Sequence, residues 1–140
     1  MKGLVFFLAS LFPMLYLAQS RADLTVQINN IEHNSGLVQL GLYNDASEFP
    51  EVGKTYRMVR VKTNGNKKLY TFKNLPIGRY ALAIYHDENA NNKCDTHFFG
   101  IPKEAYAFSN DIRPRFSAPS FKSCSFMLNA DKAITIKLVY

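Results

Sequence analysis

Tryptophan is absent from the 140 residues, cysteine occurs twice, and no apolar run after residue 20 approaches membrane-spanning length. No stretch keeps a 3.6-residue apolar period over a convincing length, which excludes a helical bundle and a layered α/β architecture. Basic residues are not concentrated: Lys54, Arg57, Arg60 and Lys62 share one strand-like segment, Lys67 and Lys68 flank a turn, and Arg113 and Arg115 sit in a loop. A nucleic-acid surface needs cations on one face with aromatic platforms between them, so nucleic acid is excluded as a partner. Solvated strand faces and protected sheet edges account for this scatter. There is no G-x-S-x-G turn, and imidazole is limited to His33, His86 and His97, which leaves the plentiful serines without an evident activating base.

The start of the chain is of another kind. MKGLVFFLASLFPMLYLAQS opens with Lys2, runs apolar over residues 4–18 with Pro13 inside, and ends in small and polar residues. A short apolar segment followed by small residues predicts a secretory signal peptide rather than a membrane anchor. Cleavage after Ser20 and cleavage after Ala22 both satisfy the small-x-small rule; the second is preferred, making residues 1–22 the leader and 23–140 one domain. The expectation is export, to the periplasm or beyond the cell, with no membrane anchor after cleavage. Loss of the two cations Lys2 and Arg21 lowers the net charge from +6 to +4.

Alternation at period two dominates the rest. Leu24, Val26 and Ile28, then Val38, Leu40 and Leu42, then Ile134, Ile136 and Leu138 each alternate with polar or small residues, the pattern of half-buried strands. Seven strands are predicted, at 23–31, 36–44, 55–62, 67–73, 79–86, 121–128 and 132–140, giving an all-β antiparallel sandwich. Turn chemistry at His33-Asn34-Ser35-Gly36, Asn64-Gly65 and Asn129-Ala130-Asp131 predicts that the flanking strands pair as hairpins. Residues 87–120 exceed any ordinary connection. Phe98, Phe99, Ile101, Tyr106, Phe108 and Phe116 make this loop too aromatic for a solvated tail, so it should cap the sandwich, with one helical turn at 102–106.

Within that loop, HDENANNKCD over residues 86–95 sets Asp87, Asn89, Asn91, the Lys93 carbonyl and Asp95 at alternate positions. This is the oxygen spacing of a calcium loop, in which a tightly wound chain aims hard oxygens at one point. The sixth position must turn sharply, and Asn92 is the residue after glycine best able to accept a left-handed backbone. Phe98 stands where a bidentate Glu would complete the set, so Glu88 or Glu104 is the candidate for the remaining carboxylate, with Glu104 carried forward. Few formal charges predict a weak structural site, with Kd about 10⁻⁴ to 10⁻³ M. The competing reading needs no ion: the same side chains form Asx-turns and cap the loop internally.

A disulfide between Cys94 and Cys124 would close a loop of about 30 residues, worth roughly 3.5–4 kcal/mol by chain entropy, and an exported chain permits it; two buried thiols are the alternative. Cys94 and His97 with His86 and Cys124 also have zinc-compatible types, a weaker signal than thiol pairing. His86, His97, Phe99, Tyr106 and Phe108 form a candidate ligand surface. Catalysis, if any, would be that of a periplasmic hydrolase using His86, His97 and Glu104. The preferred function is a non-enzymatic binding or accessory module, its partner a protein, a glycan or a small molecule.

NLPIGRYALAIYHDENANNKCDTHFFGIPKEAYAFSN, followed by APSF at 118–121, resembles the family called domain of unknown function 2141. These are exported bacterial proteins with LP-x-G-x-Y-A-x-A-x-x-H-D-x-N-x-N-x-x-x-D, then G-I-P-K-E and F-S-N. The resemblance implies a transthyretin-like or carboxypeptidase-regulatory-like β-sandwich and supplies no activity. Its motif positions fall on His86, Asp87, Asn89, Asn91, Asp95, Gly100, Pro102, Lys103, Glu104, Phe108, Ser109 and Asn110. The chain departs at Asn92, Ala105 and Ala107, where the family favours Gly. Cys94 and Cys124 stand where it has apolar or small residues, which favours the disulfide as a private staple.

Overall fold

The computed structural model describes residues 20–98 and 102–140. Most of the expected leader, and Phe99, Gly100 and Ile101 of the aromatic loop, therefore lie outside the described residues. Among the described residues eight strands are present: β1 Arg21–Asn29, β2 Leu37–Tyr43, β3 Arg57–Lys62, β4 Lys67–Pro76, β5 Gly78–Asp87, β6 Tyr106–Phe108, β7 Phe126–Leu128 and β8 Lys132–Lys137. One helical turn, α1, covers Phe121–Cys124. Among the described residues no helix is long and apolar enough to cross a membrane.

The strands form two sheets, one ordered β4-β1-β8 and one ordered β3-β2-β5-β6, with β7 also pairing with the start of β5. Leu24, Val26, Ile28, Phe72, Leu75 and Ile136 from the smaller sheet pack with Val38, Leu40, Leu42, Leu82, Ile84 and Leu128 from the larger in one core. The arrangement is sandwich-like, and alternation is its cause: each strand presents every second side chain to the shared interior.

Pairing differs from expectation in three places. β1 and β2, β3 and β4, and β7 and β8 are not hairpins; each connection carries the chain from one sheet to the other. The reversal at Asn64-Gly65 is real, with Gly65 at φ 95, but β3 goes to β2 and β4 to β1. Turn residues specify that a chain reverses, and the buried face decides which neighbour each strand takes. β8 moreover runs parallel to β1, Leu24 facing Lys132 and Ile28 facing Ile136, so the sandwich is not wholly antiparallel.

Two local corrections follow. The strand expected over 121–128 is divided, its first half being α1, where the Ser120 hydroxyl accepts from the Ser123 N–H as an N-cap. The helical turn expected at 102–106 is replaced by a bridge between Thr96 and Pro102 and by β6. β6 brings part of the long loop into the larger sheet beside β5, Ala83 facing Phe108 and Tyr85 facing Tyr106. Other aromatics do not cover the core: Phe98 and Phe116 are each 99% exposed.

Candidate functional site

β5 ends in His86 and Asp87, both fully buried, and their positions depend on a close backbone approach. Gly36 has φ 71, and a Cβ there would lie 1.9 Å from the Asp87 carbonyl oxygen, so only glycine fits. His86 sits at the end of the core. Its Nε2 donates to the Ser35 carbonyl at 2.7 Å, and its Nδ1 lies 2.9 Å from the Tyr140 hydroxyl, which itself accepts from the Glu32 N–H. A carbonyl can only accept, so Nε2 carries the proton and Tyr140 donates to Nδ1. Both ring nitrogens are thus engaged, one with the turn before β2 and one with the tail of the chain.

Asp87 winds the loop. Its Oδ1 accepts from Asn91 N–H at 3.0 Å and its Oδ2 from Asn92 N–H at 2.8 Å. Asn92 adopts φ 64, the left-handed turn its sequence position demanded. Asn89 Oδ1 accepts from Asn91 N–H and Asn91 Oδ1 from Lys93 N–H, two successive Asx-turns. The two amide nitrogens, Asn89 Nδ2 and Asn91 Nδ2, converge on Asp95 Oδ2 at 2.8 and 3.0 Å.

Glu104 closes the ring from the far side, accepting from Glu88 N–H with Oε1 and from Asp95 N–H with Oε2. Lys103 N–H donates to the Asp95 carbonyl. Burial raises the Glu104 carboxyl above its ordinary value, the Asp95 N–H draws it back, and the Asp87 charge pushes it up again. The spacing-derived set is therefore brought together in one polar knot: Asp87, Asn89, Asn91, Lys93, Asp95 and Glu104. Both Asp87 oxygens, both Glu104 oxygens, the two Asn oxygens and Asp95 Oδ2 accept hydrogen bonds within this knot, and no group of three His, Cys, Asp or Glu is placed to hold a metal among the described residues.

The cysteines do not pair. Cys94 lies half-buried with Pro102 and Tyr106 on the outer face of the larger sheet, while Cys124 is buried in α1, its carbonyl accepting from Ser109. The expected Cys94–Cys124 disulfide is corrected accordingly: both thiols are free. Burial pushes the Cys94 thiol up to about 11, with Glu104, Asp95 and Asp87 adding to it, so it is a poor nucleophile. His97 is exposed and is not gathered with His86, and Tyr106 and Phe108 stand on β6 with their rings 6.0 Å apart.

Sequence reasoning missed the second polar anchor. Ser109 is fully buried; its hydroxyl oxygen accepts from Leu82 N–H at 2.8 Å and donates to the Cys124 carbonyl at 2.6 Å. Next to it, Asn110 at φ 62 donates to the Ser123 and Ser125 carbonyls. The F-S-N motif was the available signal: two short polar residues directly after a strand are able to satisfy stray backbone groups. Neither a curated protein nor a solved structure matches the chain. Residues 26–137 match the family described as an uncharacterized protein conserved in bacteria (DUF2141), and the protein belongs to that family.

Proposed function

We infer that the protein is an exported, non-enzymatic binding or accessory module of transthyretin-like architecture whose 87–95 loop is closed by a weakly held calcium ion. The observation that carries the ion is Asp87: a buried carboxylate that already organises the Asn91 and Asn92 N–H groups, with Asn92 in the left-handed turn at the sixth position. Two amide nitrogens crowd one oxygen of Asp95. Turning both amides over replaces two donors by two acceptors around that carboxylate, the donor chemistry calcium takes. The Asx-turns surrendered in doing so keep the affinity weak.

The hydrolase alternative loses support from the same geometry, because both His86 nitrogens and both Glu104 oxygens are spent on holding backbone and tail. Export rests on the leader sequence. Cleavage after Ser20, rather than after Ala22, is supported by the extent of β1, in which Arg21 faces Pro76 and Ala22 faces Leu75.

Melting of the exported chain in EDTA, calcium and zinc tests the ion. At 10 mM calcium and a Kd of about 1 mM, mass action stabilises the fold by about 1.4 kcal/mol; zinc gives no such rise, and Asp95→Ala abolishes it. Identical melting in calcium and EDTA would overturn the reading.

A further inference from the structure

The outer face of the larger sheet carries a trough that the calcium reading does not use. Along it β2 contributes Gly41 and β5 contributes Ala83, directly opposite one another, so two adjacent positions in the middle of a sheet have almost no side chain. Larger residues stand around them: Tyr43 on β2, Phe108 and Tyr106 on β6, and Pro50 and Val52 from the segment between β2 and β3. Phe49 holds that segment down, edge-on to Tyr43 at 5.1 Å and to Phe108 at 6.0 Å. The enclosed space is about 100 Å³; a dry cavity of about 150 Å³ is enough for benzene, and this trough is open, so a ring can seat in it and protrude.

Charges of both signs stand beside the trough. Cys94 lies in the field of Asp87, Asp95 and Glu104, and the Arg60 guanidinium donates Nε–H to Gln39 Oε1 at 2.9 Å, so neither an anion nor a cation gains a net partner, while each would lose its hydration in an apolar recess. Gln39 is buried and its carbonyl also accepts from the Tyr85 hydroxyl at 3.1 Å. With its oxygen doubly used, Gln39 has its amide N–H₂ left to offer, a donor fixed in place by two neighbours.

The geometry points to a binding site for an uncharged, single-ring apolar molecule bearing one hydrogen-bond acceptor, the ring lying over Ala83 beside Tyr106 and Phe108 and the acceptor meeting the Gln39 amide. The Thr55 methyl and the Tyr43 ring already fill the space outside Gly41, leaving Ala83 as the floor, and a mostly apolar recess with one oriented polar group is the common form of a small-molecule site.

Acetophenone, benzoate and benzylamine serve as probes, titrated into the exported chain in EDTA by NMR chemical-shift perturbation, which keeps the outcome separate from the calcium reading. Acetophenone is expected to bind saturably, with Kd on the order of 10⁻⁴ M, to shift Ala83 and Phe108 resonances, and to slow alkylation of Cys94. Benzoate and benzylamine bind at least tenfold more weakly. Ala83→Leu, which fills the floor, weakens acetophenone at least tenfold; Leu69→Ala on the other sheet leaves it unchanged. Equal binding of the three probes, absence of saturation, or undiminished binding to a folded Ala83→Leu chain would each overturn the proposal. The probe ranking and Cys94 protection are read on the unmodified chain, so they decide the matter even if the variant does not fold.

Discussion

The two outward faces of the sandwich are made from the same alternation and end in opposite states. On the smaller sheet, Thr25 and Gln27 of β1 lie half-exposed between buried neighbours, with Thr71 of β4 beside Thr25 and Thr135 of β8 beside Gln27. Among the described residues no segment covers this face, and its polar groups answer to water or to each other, as Thr25 and Thr71 do at 2.9 Å. On the larger sheet, both sets of β2 side chains from Val38 to Tyr43 are buried, because the chain between β2 and β3 and the loop carrying β6 lie over it. Covering a sheet changes what a polar side chain there must do. Each one has to be satisfied within the protein, since a buried unpaired group costs about 1–3 kcal/mol.

Breaking the covered side should therefore cost far more than breaking the bare one. Asp87→Ala leaves two loop N–H groups without the carboxylate that organises them; a loss of about 3 kcal/mol is expected in urea unfolding. Ser109→Ala orphans the Leu82 N–H and the Cys124 carbonyl together, for about 2 kcal/mol by the same measurement. A loss below about 0.5 kcal/mol for either would erase the contrast between the faces.

Glu104 sharpens the comparison through pH. Burial raises its carboxyl above the ordinary 4.5, so the folded state holds the proton to higher pH than the unfolded chain does. Its contribution is greatest below the unfolded value and declines as pH rises through the folded one. Unfolding across that interval should show the decline in the parent and a flatter profile in Glu104→Gln. A calcium ion nearby favours the ionised carboxylate, so in calcium the Glu104 ¹³C titration should move to lower pH. The smallest effect belongs to the uncovered face: Thr25→Ala should stay within about 0.5 kcal/mol, and a larger loss would mean that the face is not simply solvated.

The strands were legible because burial on one side writes a period of two into β1, β2 and β8. Their partners were not, since His33-Asn34-Ser35-Gly36 and Asn64-Gly65 announce reversals that are equally compatible with a hairpin and with a corner between sheets. β6 escaped notice because three residues, Tyr106–Phe108, are too few to establish a period. α1 escaped because Phe121 and Cys124, read as strand, are equally spaced for one turn of helix. The polar knot could be read residue by residue from alternate-position oxygens and the need for a left-handed Asn92. The direction of the hydrogen bonds inside it could not, nor could the trough, whose floor at Ala83 meets Gly41 across two strands 42 positions apart by register.

The parallel contact of β1 with β8 has a consequence in time. Asn30 reaches the Leu138 carbonyl across 108 positions, and the central strand of the smaller sheet stays half-paired until the final segment arrives. Contacts so distant along the chain form late and slowly. The first strand accordingly stays open on one edge until β8 is in reach, so the smaller sheet closes only in the last step of folding.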